Sequence, residues 1–282
     1  MSVDIDHLRG WIGRDETLHD RATLFPVAAL SATLDRDDPA PAEGDPLPPM
    51  WHWLYFLPTA RQSALGPDGH PARGGFLPPV ALPRRMWAGG RLEFLQPIHL
   101  GETISRISVI KDVTLKTGRS GAMVFVLVRH EIYGENGLAL TEEHDIVYRD
   151  APAENEAAPA PRAAPAAFLW ERSIVPDDVL LFRYSALTFN GHRIHFDRRY
   201  VTGVEFYPGL IVHGPLIATL LVDLVRRNTN AAVKAFKFRA VKPLFDLDAF
   251  AVRGMPGDDG TVALWAQDRT GWLNMEAEAR LG

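Results

Sequence analysis

The run HGPLIATLLVDLVRRN, His213 to Asn228, limits how this chain can fold more than any other stretch. Pro215 suits the first helical position, where its missing N–H costs no hydrogen bond, and Gly214 suits the cap before it. Leu216, Ile217, Leu220, Leu221 and Leu224 recur at helical spacing and make one apolar stripe. Arg226, Arg227 and Asn228 close the helix, where its dipole favours cations. The spacing predicts a helix over 215–227. Four β-type segments follow, at 233–241, 249–253, 261–268 and 272–280. A long apolar helix leading into an antiparallel meander buries its stripe when the sheet wraps around it.

Such a unit accounts for about half of the 282 residues, and the other half has the same character. Helices are predicted around 3–12 and over 51–64, the second interrupted near Pro58, with a loop over 68–79. Four β-type segments follow at 90–94, 103–113, 122–133 and 140–148. Glu93–Ile104 (EFLQPIHLGETI) lies above Arg239–Phe250 (RAVKPLFDLDAF) when Pro97 is matched to Pro243, which points to an internal duplication. Two Pro-rich stretches interrupt the chain, Asp37–Pro49 and Ala151–Ala167. The second cannot hold a helix or a ladder for long and reads as a linker. The expected organisation is an N-terminal repeat over 1–150, a linker over 151–167 and a C-terminal repeat over 168–282. A strand is expected at 182–187, and an irregular polar segment from there to Tyr207.

Composition removes several classes of function. An apolar fraction of 46% with 23% charged residues supports a packed core, and a net charge of −5 without basic runs argues against a nucleic-acid surface. The absence of cysteine excludes disulfides, thiolate nucleophiles and Cys-ligated metals. No apolar h-region follows the start, and no apolar run is long enough to span a bilayer. A cytoplasmic protein without membrane or nucleic-acid partners is the expectation.

The chemistry concentrates in FRYSALTFNGHRIHFD, Phe182 to Asp197. Asn190, His192, Arg193, His195 and Asp197 crowd together there, and histidine is the side chain most easily poised as acid or base near neutral pH. Histidines in polar loops also serve as plain hydrogen-bonding groups, so residue types alone leave both readings open. His192 and His195 have metal-like spacing, but with no cysteine and no clearly placed third ligand no metal is expected. The second feature is YPGLIVHGPLIATLL, Tyr207 to Leu221, where a glycine at a helix N-terminus offers a backbone N–H to a developing oxyanion. A Gly-Pro pair is equally an ordinary helix start.

Taken together, YSALTFNGHRIHFD and YPGLIVHGPLIATLL resemble the MaoC-type hotdog hydratases, whose motif reads G-D-x-N-P-(I/L)-H, followed by I-x-H-G leading into the central helix. Matching the final histidine to His195 sets Asn190 on the family's aspartate, His192 on its asparagine and Arg193 on its proline. His213 and Gly214 match the H-G element. WHWLYF and GGFLPPVALPRRMWAGGRLEFLQPIHLGE extend the resemblance to the hydroxyacyl-thioester dehydratase type 2 branch, with mesaconyl-CoA and itaconyl-CoA hydratases.

The resemblance implies an α+β double hotdog, two antiparallel sheets each wrapped on a central helix and joined as a pseudo-dimer. It implies reversible hydration of a 2-enoyl-CoA with no cofactor beyond the CoA of the substrate. His195 would be the acid/base group, Gly214 would stabilise the enolate, and Asn190 would orient water. Arg193, His213 and Asp197 are candidate substrate-binding residues, with Arg193 facing a substrate carboxylate or else paired to Asp197. The departure at Asn190 leaves His195 alone or in need of Asp197 or Glu205 as partner. The N-terminal repeat has no equivalent motif, so it is expected to be non-catalytic, with one active site per chain. A hotdog thioesterase and a non-catalytic acyl-CoA-binding subunit are the alternatives, and pairing into a homodimer is left open.

Overall fold

The computed structural model describes residues 3–71, 73–118, 121–150 and 160–282. A single ten-stranded antiparallel sheet runs through the molecule in the order β1-β3-β4-β5-β2-β7-β10-β9-β8-β6. The first repeat supplies β1 (Asp15–Arg21), β2 (Arg84–Phe94), β3 (Thr103–Gly118), β4 (Gly121–Gly134) and β5 (Gly137–Arg149). The second supplies β6 (Trp170–Ile174), β7 (Val233–Ala240), β8 (Phe250–Pro256), β9 (Thr261–Gln267) and β10 (Leu273–Leu281). Each half runs through the same strand order from the seam outward, so the two sheets of the double hotdog join edge to edge.

The duplication is visible in the backbone. After β2, the N–H groups of Leu95 and Gln96 both donate to Ala139 O, and Pro97 follows. After β7, the N–H groups of Val241 and Lys242 both donate to Asn274 O, and Pro243 follows. The seam pairs β2 with β7 from Gly89↔Arg239 to Glu93↔Ala235. Gly89 allows that approach, since a Cβ there would stand 2.6 Å from Phe238 O.

The helices depart from the sequence reading. α1 (Ile5–Arg9) and α5 (Gly214–Asn228) lie near their expected positions. α5 is buried on every side from Leu216 to Val225 rather than along one stripe. β6, β8, β9 and β10 contact α5, while the first repeat holds only α2 (Leu24–Thr33) and two short 3₁₀ turns in the corresponding part of the chain. The helix expected over 51–64 is replaced by those turns, Trp51–Leu54 and Gln62–Ala64. Pro58 and the left-handed backbone of Met50 and Phe56 break it.

The strand expected at 182–187 is instead the end of α3 (Asp178–Leu187). Its cap is Asp177, whose side chain accepts from Leu180 N–H at 2.8 Å, and Leu181, Tyr184 and Ser185 turn inward at helical spacing. Aromatic content suggested a strand, but the cap decides. α4 (Arg198–Gly203) starts on Asp197 in the same way, with Asp197 Oδ1 accepting from Tyr200 N–H at 3.0 Å.

Much of the expected linker, 151–159, lies outside the described residues. Its end is tied to the second repeat, where Leu273 N–H donates to Arg162 O and Ala164 N–H to Gly271 O. Among the described residues no helix is long and apolar enough to cross a membrane.

Candidate active site

The polar segment between α3 and α5 is shaped by its own side chains. α3 ends on Phe189 in left-handed backbone, and Asn190 N–H donates back to Ser185 O at 2.8 Å. Asn190 Oδ1 then accepts from His192 N–H at 3.0 Å, an Asx turn that starts the 3₁₀ turn Arg193–His195. The turn points the His195 ring at the start of α5, where it stacks on His213 with centroids 3.7 Å apart and planes 18° off parallel. The two sequence motifs therefore meet face to face.

His195 is only 7% exposed, and its Nδ1 lies 2.7 Å from Ile211 O. A carbonyl can only accept, so Nδ1 carries the proton and donates, leaving Nε2 with a lone pair in the neutral ring. Burial lowers the ring's pKa to about 4, against a smaller opposing effect of the Ile211 carbonyl. Neutral His195 is thus a base with its tautomer set by the backbone. Next to it, no described group accepts from the Gly214 N–H, and open space lies where a Cβ on Gly214 would stand. That N–H opens α5, at the positive end of its dipole.

The first repeat reaches into this centre. Its loop 66–71 docks on the segment, with Arg193 N–H donating to Asp68 O at 2.9 Å. Gly69 lies against Gly191, and the His70 ring sits 4.0 Å from the His192 ring. His70 Nδ1 is 3.1 Å from Asp68 Oδ2. Burial lowers the pKa of both rings, that of His192 to about 2. Burial alone would raise the Asp68 carboxyl, but hydrogen bonds from the His70 ring and backbone hold it well below the usual range. Ligand atoms of Asp68, His70 and His192 lie within 4.8 Å of one another, close enough to hold a metal ion.

A cavity of about 730 Å³ runs between the repeats. Asn190, Gly191, Ser185 and Pro215 line it from the second repeat, and Gly69, His70, Arg85, Trp53 and Trp87 from the first. Its far wall is a polar row on the sheet of the first repeat. There Glu142 receives Trp53 Nε1 at 2.9 Å and lies 2.9 Å from His52 Nε2, while His130 Nδ1 lies 2.9 Å from Ser108 Oγ.

Several expected site residues are engaged elsewhere. Arg193 binds Asp197 through Nε and Nη2 (3.0 and 2.7 Å), donates to Pro67 O and lies over the Tyr200 ring. Its cation is satisfied by Asp197, which is the second of the two expected alternatives, the structural pairing. Asp197 is the other half of that pair and caps α4, which removes it as a substrate-binding group or partner of His195. Glu205 binds Arg84 at 3.2 Å and Tyr200 Oη at 3.1 Å, so it is not that partner either. His213 is fully buried, with Nε2 2.8 Å from Ser185 Oγ and its ring stacked on that of His195. Arg91 is held by Glu143 and Asp145.

The sequence reading passed over His70, Ser185 and the Ser108–His130–Glu142 row. The row had a signal: His130 falls on the inward parity of β4, among Val124, Val126, Val128 and Ile132. A polar residue on an apolar face has to be satisfied by neighbours or by a ligand.

Comparisons with known proteins give the family and the fold. The family model described as Hydroxyacyl-thioester dehydratase type 2 matches residues 50–246. A curated relative, Mesaconyl-C(4)-CoA hydratase of Chloroflexus aurantiacus, is 48% identical over 273 residues, covering 96% of this chain and 97% of its own. Among solved structures, a MaoC-like dehydratase from Phytophthora capsici superposes with a TM-score of 0.70 at 12% identity, covering 99% and 98% of the two chains. A Mycobacterium tuberculosis protein described as having a double hotdog fold superposes with a TM-score of 0.59 at 14% identity, covering 96% of both.

Proposed function

The chain belongs to the hydroxyacyl-thioester dehydratase type 2 family and is an acyl-CoA hydro-lyase, and from that premise we propose that it hydrates a mesaconyl-CoA-type substrate, an enoyl-CoA carrying a second carboxyl group. The observation that carries the catalytic reading is the His195 tautomer. Its Nδ1–H is committed to Ile211 O, its Nε2 lone pair is free, and the ring stacks on the residue that precedes Gly214.

In this reading His195 Nε2 takes a proton from water as the water oxygen bonds to the β-carbon. The displaced π electrons move to the thioester oxygen, which the Gly214 N–H and the dipole of α5 stabilise as an enolate. The imidazolium then returns its proton to the α-carbon, so one molecule of water is added and no group remains charged. Asn190 cannot transfer a proton, but its carboxamide, on the cavity wall, suits the positioning of that water. With Asp197 and Glu205 engaged elsewhere, His195 carries both proton transfers. The reading requires no cofactor.

The test is direct. Purified protein mixed with mesaconyl-C4-CoA should bleach the conjugated enoyl-thioester absorbance without releasing free thiol. Thiol release at a comparable rate would replace this reading with a thioesterase.

A further inference from the structure

Arg85 and His70 take no part in the hydration steps above, yet both line the same cavity. Arg85 differs from its neighbours in charge balance. Arg84 is held by Glu205 and lies over Tyr207, and Arg91 is held by Glu143 and Asp145. Among the described residues Arg85 has no carboxylate partner, and across the ladder it faces Tyr148. Its positive charge reaches both His70 and His192, adding to burial in keeping those rings neutral. A guanidinium in a cavity wall without a counter-ion is a group prepared for an anion.

Its place relative to the chemistry is equally specific. The His192 ring is 5.4 Å from the His195 ring and 4.0 Å from that of His70. In the proposed mechanism water attacks the β-carbon beside His195, and His192, His70 and Arg85 are the polar side chains of that side of the site available to a group on that carbon. We propose that Arg85, with His70 and His192 beside it, is a subsite for a carboxylate on the β-carbon of the substrate. The subsite is built largely by the repeat that carries no catalytic motif. Asp68 orients His70 through Nδ1, and His70 lines the cavity beside Arg85. The same charges oppose a divalent cation at Asp68, His70 and His192, because Arg85 and Arg73 both act on His70.

The inference rests on the hydratase reading, and two measurements separate them. Fumaryl-CoA and crotonyl-CoA differ only in a carboxylate or a methyl on the β-carbon. Wild-type enzyme should favour fumaryl-CoA, and Arg85→Gln should lower the ratio of the two kcat/KM values by about 30-fold, as expected for loss of a charge-assisted hydrogen bond. Arg85→Lys should restore part of that ratio. Calorimetry with saturated succinyl-CoA and butyryl-CoA reads the same preference without turnover. If neither enoyl-CoA is hydrated while wild-type protein still prefers succinyl-CoA and Arg85→Gln does not, the subsite stands and the hydratase reading falls. An unchanged fumaryl-to-crotonyl ratio in Arg85→Gln would overturn the subsite. So would tight Zn²⁺ binding that disappears in His70→Asn together with chelator-sensitive activity.

Discussion

Gly69 of the first repeat lies so close to Gly191 of the second that a Cβ on Gly69 would stand 1.9 Å from the Gly191 carbonyl oxygen. The residue also has φ +88, a backbone region that side chains disfavour. No rotamer relieves a clash with backbone, so Gly69→Ala must push loop 66–71 off the catalytic segment. The expected outcome is a loss of kcat/KM of about 10²-fold, the scale of a displacement near 1 Å at a reacting centre. The melting temperature should fall far less than that of a core variant, because no residue of the loop is fully buried. Steady-state kinetics alongside thermal unfolding checks both parts.

The buried His195 gives the enzyme a definite response to acid. In the proposed mechanism its neutral form is the base, and burial lowers its pKa to about 4. The kcat/KM profile should therefore be level through neutral pH and fall only as pH drops through about 4. Stability should decline earlier. The unfolded chain takes up a proton at this histidine near 6.5 while the folded protein holds it off, so stability is lost as pH falls from about 6.5 toward 4. His192, held neutral in the same way, adds to that loss. His195→Gln should lower kcat by about 10²–10⁴-fold, the range for removal of an acid/base group, and erase the acid limb. Unfolding and rate profiles across pH would test this, and an acid limb that survives in His195→Gln would assign the base elsewhere.

Asp223 is a test of assembly rather than chemistry. Its side chain is fully buried on α5 and binds Arg36 (2.5 Å), Arg172 (2.9 Å) and Arg227 (2.7 Å). Arg172 and Arg227 also donate to Leu34 O, so the cluster ties the central helix to the end of α2 in the other repeat. Asp223→Asn leaves Arg172 and Arg227 without their counter-ion and Arg36 with Asp38 alone, and should cost about 3–5 kcal/mol of stability. Chemical denaturation measures that cost. The protein that remains folded should keep near wild-type kcat, since the cluster lies outside the cavity wall.

How far the fold can be read from the sequence varies by element. β3, β4, β5 and the four strands after α5 are visible because their inward positions alternate with polar ones. β1 (DETLHDR) and β6 (WERSI) are not, because edge strands carry polar residues on both faces. α2 is hidden by Pro26, which looks like a helix breaker but sits in the first turn, where no hydrogen bond is lost. α3 is misread because its aromatic residues outweigh a single capping aspartate.

The same division runs through the active site. The amino-acid sequence by itself determined the central helix, which rests on backbone preferences within a few residues, and the duplicated halves, which show in the repeated strand–proline corner; the pairing of FNGHRIH with HGP was legible through the family resemblance. Tertiary structure alone decided which charges are spent and which are free. Arg193 closes on Asp197 four residues away, while Arg85, about a hundred residues earlier, is left facing the cavity beside His70. Arg193 has a carboxylate within local reach, but nothing local shows where Arg85 points. Their roles depend on which carboxylates the two repeats bring within reach when their sheet edges join, and only the folded chain fixes those distances.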